Sequence, residues 1–468
     1  MLKKLGSATA IYALAPQLPK IVSFMMLPIL TQHLTAFDYG INGIILAYVA
    51  AFDAFKDLGL NVIVTNTFFK HPVKYVFIWK RILGFLQVWS IIYGVLLIPL
   101  ILLVTPVEAF DNVIWIALLI VLPIMFFEPI SNIGRHYFQL NKKPVSFVTI
   151  SVTSSLLTIL VNYITIVHFQ LGYLGFLIGN LVAAANSFLI YFYLVYVKFK
   201  IIPSLKFSYK WIRKKLLVTL PTIPHFYAGY LLNVSDRVLL SLFHVSTAEI
   251  GLYSFAYSIG TYFSILGKSY WQASGPFYME YFRKENIEGD KQARKMTYYV
   301  QAGVLLIAFL LSLWIKELFV FIARNEELRN SYYIAIPVIM AYTFHPIYNY
   351  NGMKLWYYEK TKTLMKISVV AGILSVCLNL ILIPVLGVFG SALVTFISYL
   401  YMGYGGFLLK DIRKLFSVDF HPILWFSLTV MLSTLVYLIK DINIAYKILI
   451  TITLALSIFA FSILKKYK

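Results

Sequence analysis

The sequence is poor in cysteine and in charged residues. Cys377 is the only cysteine among 468 residues, which excludes an intrachain disulfide and a cysteine metal site. Charged residues account for 13% of the chain and hydrophobic residues for 60%. Soluble domains average about 25% charged and about 45–50% apolar residues. The composition therefore excludes an ordinary soluble domain and indicates a polytopic membrane protein.

Acidic residues are scarce, with 19 Asp and Glu against 40 Lys and Arg and a formal net charge of +21. Such a charge can indicate nucleic-acid binding, but the basic residues here fall between apolar segments rather than in one patch, so we expect no nucleic-acid partner. The sequence also has no nucleotide-binding motif, which excludes ATP as the direct energy source. We expect no cofactor and no metal.

Long apolar segments are abundant instead. A helix needs about 20 apolar residues to cross the hydrocarbon core of a bilayer, and fourteen segments are long enough. The first has a basic start like a signal peptide, but proline and polar residues interrupt it, so we expect it to be retained as a span. The predicted fold class is an all-α polytopic membrane protein with about 14 transmembrane helices. The spans cover approximately residues 9–31, 41–66, 82–104, 113–134, 146–168, 173–197, 216–243, 251–277, 297–322, 332–352, 364–384, 388–409, 422–439 and 444–464.

Loops rich and poor in Lys and Arg alternate along the chain. If the N-terminus is inside, the cytoplasmic segments contain 31 of the 40 Lys and Arg residues and the opposite segments contain five. Because cytoplasmic loops are enriched in these residues, the pattern predicts that both termini are cytoplasmic. The remaining four, Lys20, Lys56, Arg237 and Lys268, fall within spans, whereas Lys316, Lys366 and Lys447 lie towards span ends and are counted with the adjoining segments.

The two halves of the chain repeat the same motifs in the same order. Span 1 contains PQLPK and span 7 contains PTIPH, and the turns that follow pair Asp38–Tyr39–Gly40 with Glu249–Ile250–Gly251. Gly-x-x-Gly hairpins at residues 172–175 and 387–390 also match. Both copies have the same orientation, so we expect the substrate site between them. We predict two pseudo-symmetric six-helix bundles plus a C-terminal helix pair: an N-terminal lobe at residues 1–200, a basic cytoplasmic linker at 201–215, a C-terminal lobe at 216–410 and the additional pair at 411–468.

Two segments, SDRVLLSLFHVSTAEIGLYSFAYSIG and LNLILIPVLGVFGSALVTFISYLY, resemble the polysaccharide exporters of the multidrug/oligosaccharidyl-lipid/polysaccharide (MOP) flippase superfamily. The first contains Asp-Arg in span 7 and then Glu-x-Gly-x-Tyr-Ser, and the second is close to the family's Asn-x-x-Leu-Ile-Pro hairpin motif. These motifs, with the number and order of the spans, are most similar to the O-antigen (Wzx-like) flippase branch.

The resemblance implies a transporter rather than an enzyme. It would move undecaprenyl-diphosphate-linked oligosaccharides, precursors of O-antigen in lipopolysaccharide or of another surface polysaccharide, across the bacterial cytoplasmic (inner) membrane by alternating access. The implied partners are this lipid-linked substrate, membrane lipids and the polysaccharide polymerase machinery. Fourteen spans rather than twelve are also similar to the peptidoglycan-precursor flippase, whose extra pair forms a groove for the lipid tail.

Basic side chains inside spans are the first candidates for the substrate site, because a charge at the bilayer centre costs at least about 2.5–3.5 kcal/mol. Lys20, Lys56, Arg237 and Lys268 belong to spans 1, 2, 7 and 8, which we expect to line the space between the lobes. A ring of these residues would suit a diphosphate, with lysine acting as a point charge and arginine binding phosphate oxygens bidentately.

Acidic and polar residues complete the predicted site. Helical spacing places Asp53, Lys56 and Asp57 on one face of span 2. Asp236 and Arg237 point about 100° apart, so we expect them to face different partners. The Asp53–Lys56–Asp57 cluster and the Asp236–Arg237 pair also have a structural interpretation as charges that pack helices, and each histidine has one as a hydrogen-bonded packing residue. Glu128 could pair with Lys20 or bind a coupling ion. The predicted substrate-binding set adds Asp53, Asp57, Asp236, Glu128, Gln272 and Asn349, with His225 and His345 as candidates for ion or proton coupling.

Three other functions stay open from the sequence. A cation-coupled multidrug antiporter of the same superfamily would prefer an acidic cavity, so the four embedded basic residues disfavour it. A membrane-embedded polysaccharide polymerase or glycosyltransferase generally needs a sizeable outer loop, for which only residues 316–331 are available. A scaffold without transport would have no use for polar helix faces inside the membrane.

Overall fold

Helices make up the described structure. The computed structural model describes residues 18–141, 143–206 and 208–466, and within these ranges it contains helices, turns and connecting segments but no strand. By length and composition, seven of the described helical segments are apolar enough to cross a membrane. These observations confirm an all-α, multi-pass membrane protein. The number of fourteen spans and the orientation of the termini stay predictions.

The α-helices follow the predicted spans, and short 3₁₀ and π segments interrupt several of them. In chain order they are α1 (Leu18–Leu30), α2 (Ala36–Lys56), α3 (Asn61–Lys70), α4 (Tyr75–Val104), α5 (Val113–Leu122), α6 (Glu128–Leu140), α7 (Pro144–Asn162), α8 (Tyr173–Phe192), α9 (Tyr209–Thr219), α10 (Ile223–Asn233), α11 (Ser235–Leu242), α12 (Thr247–Arg283), α13 (Ile287–Leu313), α14 (Ile315–Ile322), α15 (Glu326–Asn330), α16 (Tyr332–Ala341), α17 (His345–Tyr357), α18 (Thr361–Tyr404), α19 (Lys410–Arg413), α20 (Pro422–Ile439) and α21 (Ile444–Lys466).

The described residues form two compact units. The first combines the chain up to Phe255 with Met365–Val394, and the second combines Ala256–Leu364 with Thr395–Lys468. Residues 216–255, which the sequence repeat places in the C-terminal lobe, therefore pack with the first unit. The boundaries of the two lobes, the linker and the C-terminal pair stay predictions.

The second predicted span is interrupted in its C-terminal half. We expected a continuous helix over residues 41–66, but α2 ends at Lys56 and α3 begins at Asn61. Leu58 and Gly59 have φ angles of 52° and 69°, in the left-handed region that ends a helix. The Asp57 carboxylate accepts a hydrogen bond from the Gly59 N–H at 3.0 Å. This turn fixes the chain direction immediately after the charged face of α2.

The seventh predicted span is broken at two places. A 3₁₀ turn, Leu220–Thr222, separates α9 from α10, and it contains Pro221, which donates no backbone hydrogen bond. A second break at Val234, with φ −138° and ψ −29°, separates α10 from α11. Asp236 and Arg237 therefore lie in the first turn of a new helix rather than in the middle of a long one.

Equivalent helices of the two repeats begin in the same way within the first unit. Thr35 and Asp38 form a capping box at the start of α2, and the Thr35 hydroxyl donates to the Asp38 carboxylate at 2.7 Å. At the start of α12 the Ser246 hydroxyl donates a hydrogen bond to the Glu249 carboxylate at 2.7 Å. The Glu249 N–H donates one to the Ser246 hydroxyl oxygen at 3.3 Å. Such boxes satisfy the free N–H groups of a helix start.

The starts of α2 and α12 cross each other at two glycines. A Cβ atom on Gly40 would overlap the carbonyl oxygen of Thr247, and one on Gly251 would overlap the carbonyl oxygen of Ala36. The contact is reciprocal, because each glycine meets the first residue of the other helix. The glycines that the sequence repeat pairs with each other are thus the residues that allow this close approach.

The hairpin glycines also have matching conformations. Gly172 and Gly387 have φ angles of 53° and 55°, which residues other than glycine rarely adopt. At Gly387 this non-helical conformation divides α18 into two helices. At the first hairpin, the Asp38 carboxylate accepts a hydrogen bond from the Tyr173 N–H at 2.8 Å. Asp38 therefore caps its own helix and also holds the start of α8.

The second unit contains an ion pair with almost no exposure. The Lys354 ammonium binds the Asp290 carboxylate, and the exposed fractions of the two side chains are 4% and 3%. Asp290 also accepts a hydrogen bond from the Ser417 N–H at 2.8 Å. The ammonium lies 4.5 Å from the ring centre of Phe282 and 5.3 Å from that of Phe416. Lys354 thus connects α13, α17 and the segment before α20.

Polar contacts fix the C-terminal helix pair within the second unit. The Lys447 ammonium of α21 is completely buried and binds the Glu317 carboxylate of α14 at 2.8 Å. Nearby, the Trp314 indole N–H donates to the Thr451 hydroxyl at 3.1 Å. At the other end of the pair, the Tyr298 hydroxyl donates to the carbonyl of Phe420 at 2.6 Å. The pair is therefore an integral part of this unit.

Candidate substrate-binding site

A cluster of three charges lies at the end of α2. The Lys56 ammonium is 2.8 Å from the Glu128 carboxylate and 3.2 Å from the Asp53 carboxylate. Glu128 reaches this position because a π-helical turn, Pro123–Phe127, precedes it at the start of α6. The i, i+3 spacing of Asp53 and Lys56 thus gives the contact that the sequence predicts. Lys56 joins α2 to α6 and has two acidic partners.

Asp57 has a different environment from Asp53. Its carboxylate accepts hydrogen bonds from the Gly59 N–H and from the amide of Asn61. The side-chain carbonyl of Asn61 in turn accepts a hydrogen bond from the side-chain amide of Asn132 at 3.1 Å. Asp57 therefore connects the turn after α2 to a polar contact with α6, whereas 53% of the Asp53 side chain is exposed.

A cavity of about 400 Å³ opens beside this cluster, within the first unit. Residues of α2, the following turn and the start of α3 form one wall, and residues of α10 with Val234 form the other. The Tyr227 hydroxyl donates to the carbonyl of Ala51 at 2.6 Å, which ties the walls together. The cavity is lined by Ala50, Ala51, Asp53, Ala54, Asp57, Asn61, Tyr227, Gly229, Tyr230 and Val234.

Asp236 and Arg237 pair with each other. The Arg237 guanidinium is 3.0 Å from the Asp236 carboxylate and lies over the ring of Tyr253, 5.3 Å from its centre. The Tyr253 hydroxyl donates to the same carboxylate. The prediction that these neighbours face different partners was wrong, because the long arginine side chain reaches back within the first turn of α11 and both residues contact Tyr253.

Arg237 lies beside the first half of α2, whereas Lys56 is the last residue of this helix. A Cβ atom on Gly43 would be 3.8 Å from Cδ of Arg237, so Arg237 lies beside this part of the helix. Lys56 follows thirteen residues later, which corresponds to about 20 Å at 1.5 Å per residue. In this conformation the two basic residues belong to separate charge clusters, Lys56 with Asp53 and Glu128 and Arg237 with Asp236.

Two predicted residues with described side chains lie in the second unit. Asn349 is completely buried, and its amide group has no hydrogen-bond partner among the described residues. His345 has its Nδ1 atom 2.9 Å from the carbonyl of Tyr342 and packs against Phe344, with ring centres 4.2 Å apart. The contacts of His345 are thus those of a helix-packing residue.

The side chains of four predicted site residues lie outside the described part of the structure. Their roles stay predictions. They are Lys20, His225, Lys268 and Gln272.

The sequence analysis missed three residues that offer polar or aromatic contacts in the cavity, Asn61, Tyr227 and Tyr230. Asn61 lies four residues after Asp57 and eight after Asp53, so continued i, i+4 spacing was a signal that could have identified it. Tyr227 and Tyr230 have i, i+3 spacing on α10, but aromatic residues are common throughout this chain. Their position in a cavity depends on how α10 packs against α2, which no sequence pattern specifies.

Comparison with known proteins identifies a family. Residues 5–282 match the family model described as "Polysaccharide biosynthesis protein". No curated protein matches the sequence significantly. Among solved structures, the lipid II flippase MurJ in an inward closed conformation superposes with a TM-score of 0.60 at 15% sequence identity. The alignment covers 92% of this chain and 100% of that chain.

Two multidrug transporters of the MATE family share the same fold. An inward-facing MATE transporter of the MOP superfamily has a TM-score of 0.59 at 15% identity, over 86% of this chain and 98% of that chain. The MATE transporter DinF-BH in complex with R6G has a TM-score of 0.56 at 18% identity, over 89% and 96%. The chain therefore belongs to the polysaccharide biosynthesis protein family and has the fold of the MOP-superfamily transporters.

Proposed function

We propose that the protein is a flippase that translocates undecaprenyl-diphosphate-linked oligosaccharides across the bacterial cytoplasmic membrane by alternating access. The oligosaccharide would be a precursor of O-antigen or of another surface polysaccharide, for use by a polymerase on the outer side. The observation that carries the proposal is a cavity with charged and aromatic walls inside an apolar bundle, in a chain of the polysaccharide biosynthesis family. A polyprenyl tail can remain in lipid, but a glycan needs polar surface to cross.

Lys56 is the basic residue beside this cavity in the described part of the chain. Its two carboxylate partners keep it neutralised when no substrate is bound, and a diphosphate could replace one of them, because both are anionic oxygen ligands. Arg237, on α11, lies beside Gly43, about 20 Å along α2 from the backbone of Lys56, so we assign it to a later step of transport. Lys20 and Lys268 stay predicted diphosphate ligands, Gln272 and Asn349 predicted sugar ligands, and His225 and His345 predicted coupling residues.

A second function is favoured by the charge of the cavity. The carboxylates of Asp53 and Asp57 and the rings of Tyr227 and Tyr230 line the same space, and carboxylates with aromatic rings also suit an organic cation. MATE multidrug transporters have the same fold. The alternative is therefore a cation-coupled multidrug antiporter.

Binding by the purified full-length protein separates the two functions. We would record native mass spectra with three probes: undecaprenyl diphosphate carrying a disaccharide, undecaprenyl phosphate, and the organic cation rhodamine 6G. The flippase proposal predicts that the first probe binds at least about tenfold more tightly than the second, because only the first carries a diphosphate and a glycan. Preferential binding of rhodamine 6G, with no selection for the glycolipid, would instead support the antiporter.

A further inference from the structure

The cavity beside α2 has a charge that differs from that expected for a diphosphate site. We propose that it is a sugar subsite that accepts a neutral pyranose of the transported glycan and selects against sugars that carry a carboxylate. This inference rests on the proposed flippase function and adds the chemical class of the sugar at one position.

The size and shape of the cavity suit a sugar ring. Its volume of about 400 Å³ is in the range of small-molecule sites, about 300–1,000 Å³. The space exists because the walls carry small residues: Ala50, Ala51 and Ala54 on α2 face Gly229 on α10. A Cβ atom on Gly229 would meet no atom within 4 Å. The cavity is thus open at the point where α10 passes α2.

The walls offer the two kinds of contact that a pyranose needs. Tyr227 and Tyr230 lie one helical turn apart with ring centres separated by 6.1 Å, and the hydrogen bond to Ala51 fixes the first ring. Aromatic faces pack against the C–H face of a sugar. The Asp53 carboxylate and the Asn61 amide can bind its hydroxyl groups, since carboxylates accept hydrogen bonds and amides both donate and accept them.

The charge of the lining gives the selectivity. Asp53 and Asp57 line the cavity, whereas no Lys or Arg belongs to its described lining. Lys56 instead lines the small neighbouring space with Glu128, to which it is bound at 2.8 Å. Lys56 is also bound to Asp53 at 3.2 Å, but it offsets only one of the three carboxylates of Asp53, Asp57 and Glu128, so a sugar carboxylate in the cavity would meet a net negative charge. Like charges a few ångströms apart repel, and at the half-exposed Asp53 even solvent-screened repulsion is enough to favour a neutral sugar.

The test compares two probes that differ only in this carboxylate. Both are undecaprenyl diphosphate carrying a disaccharide with the same first sugar. The terminal sugar is glucose in one probe and glucuronic acid in the other. Dissociation constants are measured by titration of the detergent-solubilised full-length protein. We expect the wild type to bind the glucose probe at least about tenfold more tightly, because Asp53 repels the acidic sugar. In Asp53→Asn the ratio should fall below about threefold.

Glu128→Gln is the matched control for Asp53→Asn. Each substitution removes one carboxylate from Lys56, but only Asp53 lines the cavity. Glu128→Gln should therefore keep most of the wild-type preference for the glucose probe over the glucuronic acid probe, even if its affinity for each probe changes. Tyr230→Ala should weaken binding of both probes by a similar factor, because stacking does not depend on the carboxylate. Thermal unfolding midpoints verify that each variant is folded.

The possible outcomes separate this inference from the proposed function. If the wild type binds both glycolipids equally, or if Asp53→Asn and Glu128→Gln change the ratio equally, the sugar subsite is wrong and the flippase proposal stands. If the wild type binds neither glycolipid but binds rhodamine 6G, the flippase proposal fails and the subsite fails with it.

Discussion

At the scale of single residues, the described basic groups on α2 and α11 are neutralised by carboxylates. Lys56 binds Asp53 and Glu128, and Arg237 binds Asp236. A single cation in a membrane helix is costly, and an acidic partner reduces that cost when no ligand is present. These residues can therefore hold helices together in one conformation and bind a substrate in another. The structural and functional interpretations of the sequence do not exclude each other.

A prediction at this scale concerns the buried pair of Lys354 and Asp290. Lys354→Met would leave the Asp290 carboxylate buried without its cation, and we expect a loss of about 3–5 kcal/mol in the free energy of unfolding. The matched control is Lys316→Met, because Lys316 binds Asp441 at 3.1 Å but the exposed fractions of these side chains are 47% and 44%. The control should lose at most about 1 kcal/mol.

Thermal unfolding midpoints of both variants in the same detergent make this comparison. Equal midpoints would contradict a structural role for the buried pair. A second variant, Lys354→Met combined with Asp290→Leu, should recover part of the loss, since replacing both charges removes the unpaired carboxylate.

The sequence predicted some of these contacts and could not predict others. The face shared by Asp53 and Lys56 follows from helical spacing alone, and the structure contains the pair. Asp290 and Lys354 are 64 residues apart, so Lys354 looked like an ordinary residue of a basic cytoplasmic loop. The pairing of Asp236 with Arg237 was missed because it depends on a helix break at Val234, which the apolar pattern does not indicate.

At the scale of elements, the repeated motifs correspond to repeated local structures. The capping boxes at the starts of α2 and α12 and the hairpin glycines with positive φ occur at the paired positions of the two halves. The crossing of α2 and α12 at Gly40 and Gly251 adds a contact between the paired positions themselves. If the termini are cytoplasmic as predicted, this crossing lies on the outer side of the membrane.

A prediction at this scale concerns Gly251. An added methyl group would overlap the Ala36 carbonyl, so Gly251→Ala should destabilise the crossing by about 1–3 kcal/mol. The matched control is Gly303→Ala in α13, where an added Cβ atom would meet no atom within 4 Å. Alanine favours helix over glycine by up to about 1 kcal/mol, so the control should be neutral or slightly stabilised.

The sign of the two changes in unfolding midpoint checks this account. A lower midpoint for Gly251→Ala with an unchanged or higher midpoint for Gly303→Ala is the expected result. If Gly251→Ala were as stable as the control, the close approach of the two helices would not contribute to this conformation. The sequence repeat paired Gly40 with Gly251, but it could not predict that they touch, because similarity between two segments carries no information on their distance.

At the scale of the whole molecule, composition and length predicted the fold class and the sequence motifs predicted the family. The apolar segments became helices, and the family match supports the resemblance. The proline pair of span 7 predicted a break there, and the structure has one at Pro221. The break at Val234 and the interruption of span 2 were not predicted, because apolar periodicity continues through them. The cavity was also not predicted as a space, since it depends on small residues from helices that are distant in the chain.

A prediction at this scale concerns orientation in the membrane. In a Cys377→Ser background, we would place one cysteine at Lys291 or at Glu327, both of which are exposed. If both termini are cytoplasmic, a membrane-impermeant maleimide added to intact cells should label Glu327→Cys and not Lys291→Cys. Labelling of Lys291→Cys alone would contradict the predicted topology.

The central claim is that the protein moves a lipid-linked oligosaccharide across a bilayer. The most direct measurement is the accessibility of a fluorescent undecaprenyl-diphosphate-linked oligosaccharide to a membrane-impermeant quencher in sealed proteoliposomes. The account predicts that liposomes with the protein move the probe between leaflets, whereas empty liposomes and liposomes with Lys56→Ala do so far more slowly. Equal accessibility with and without the protein would contradict the claim.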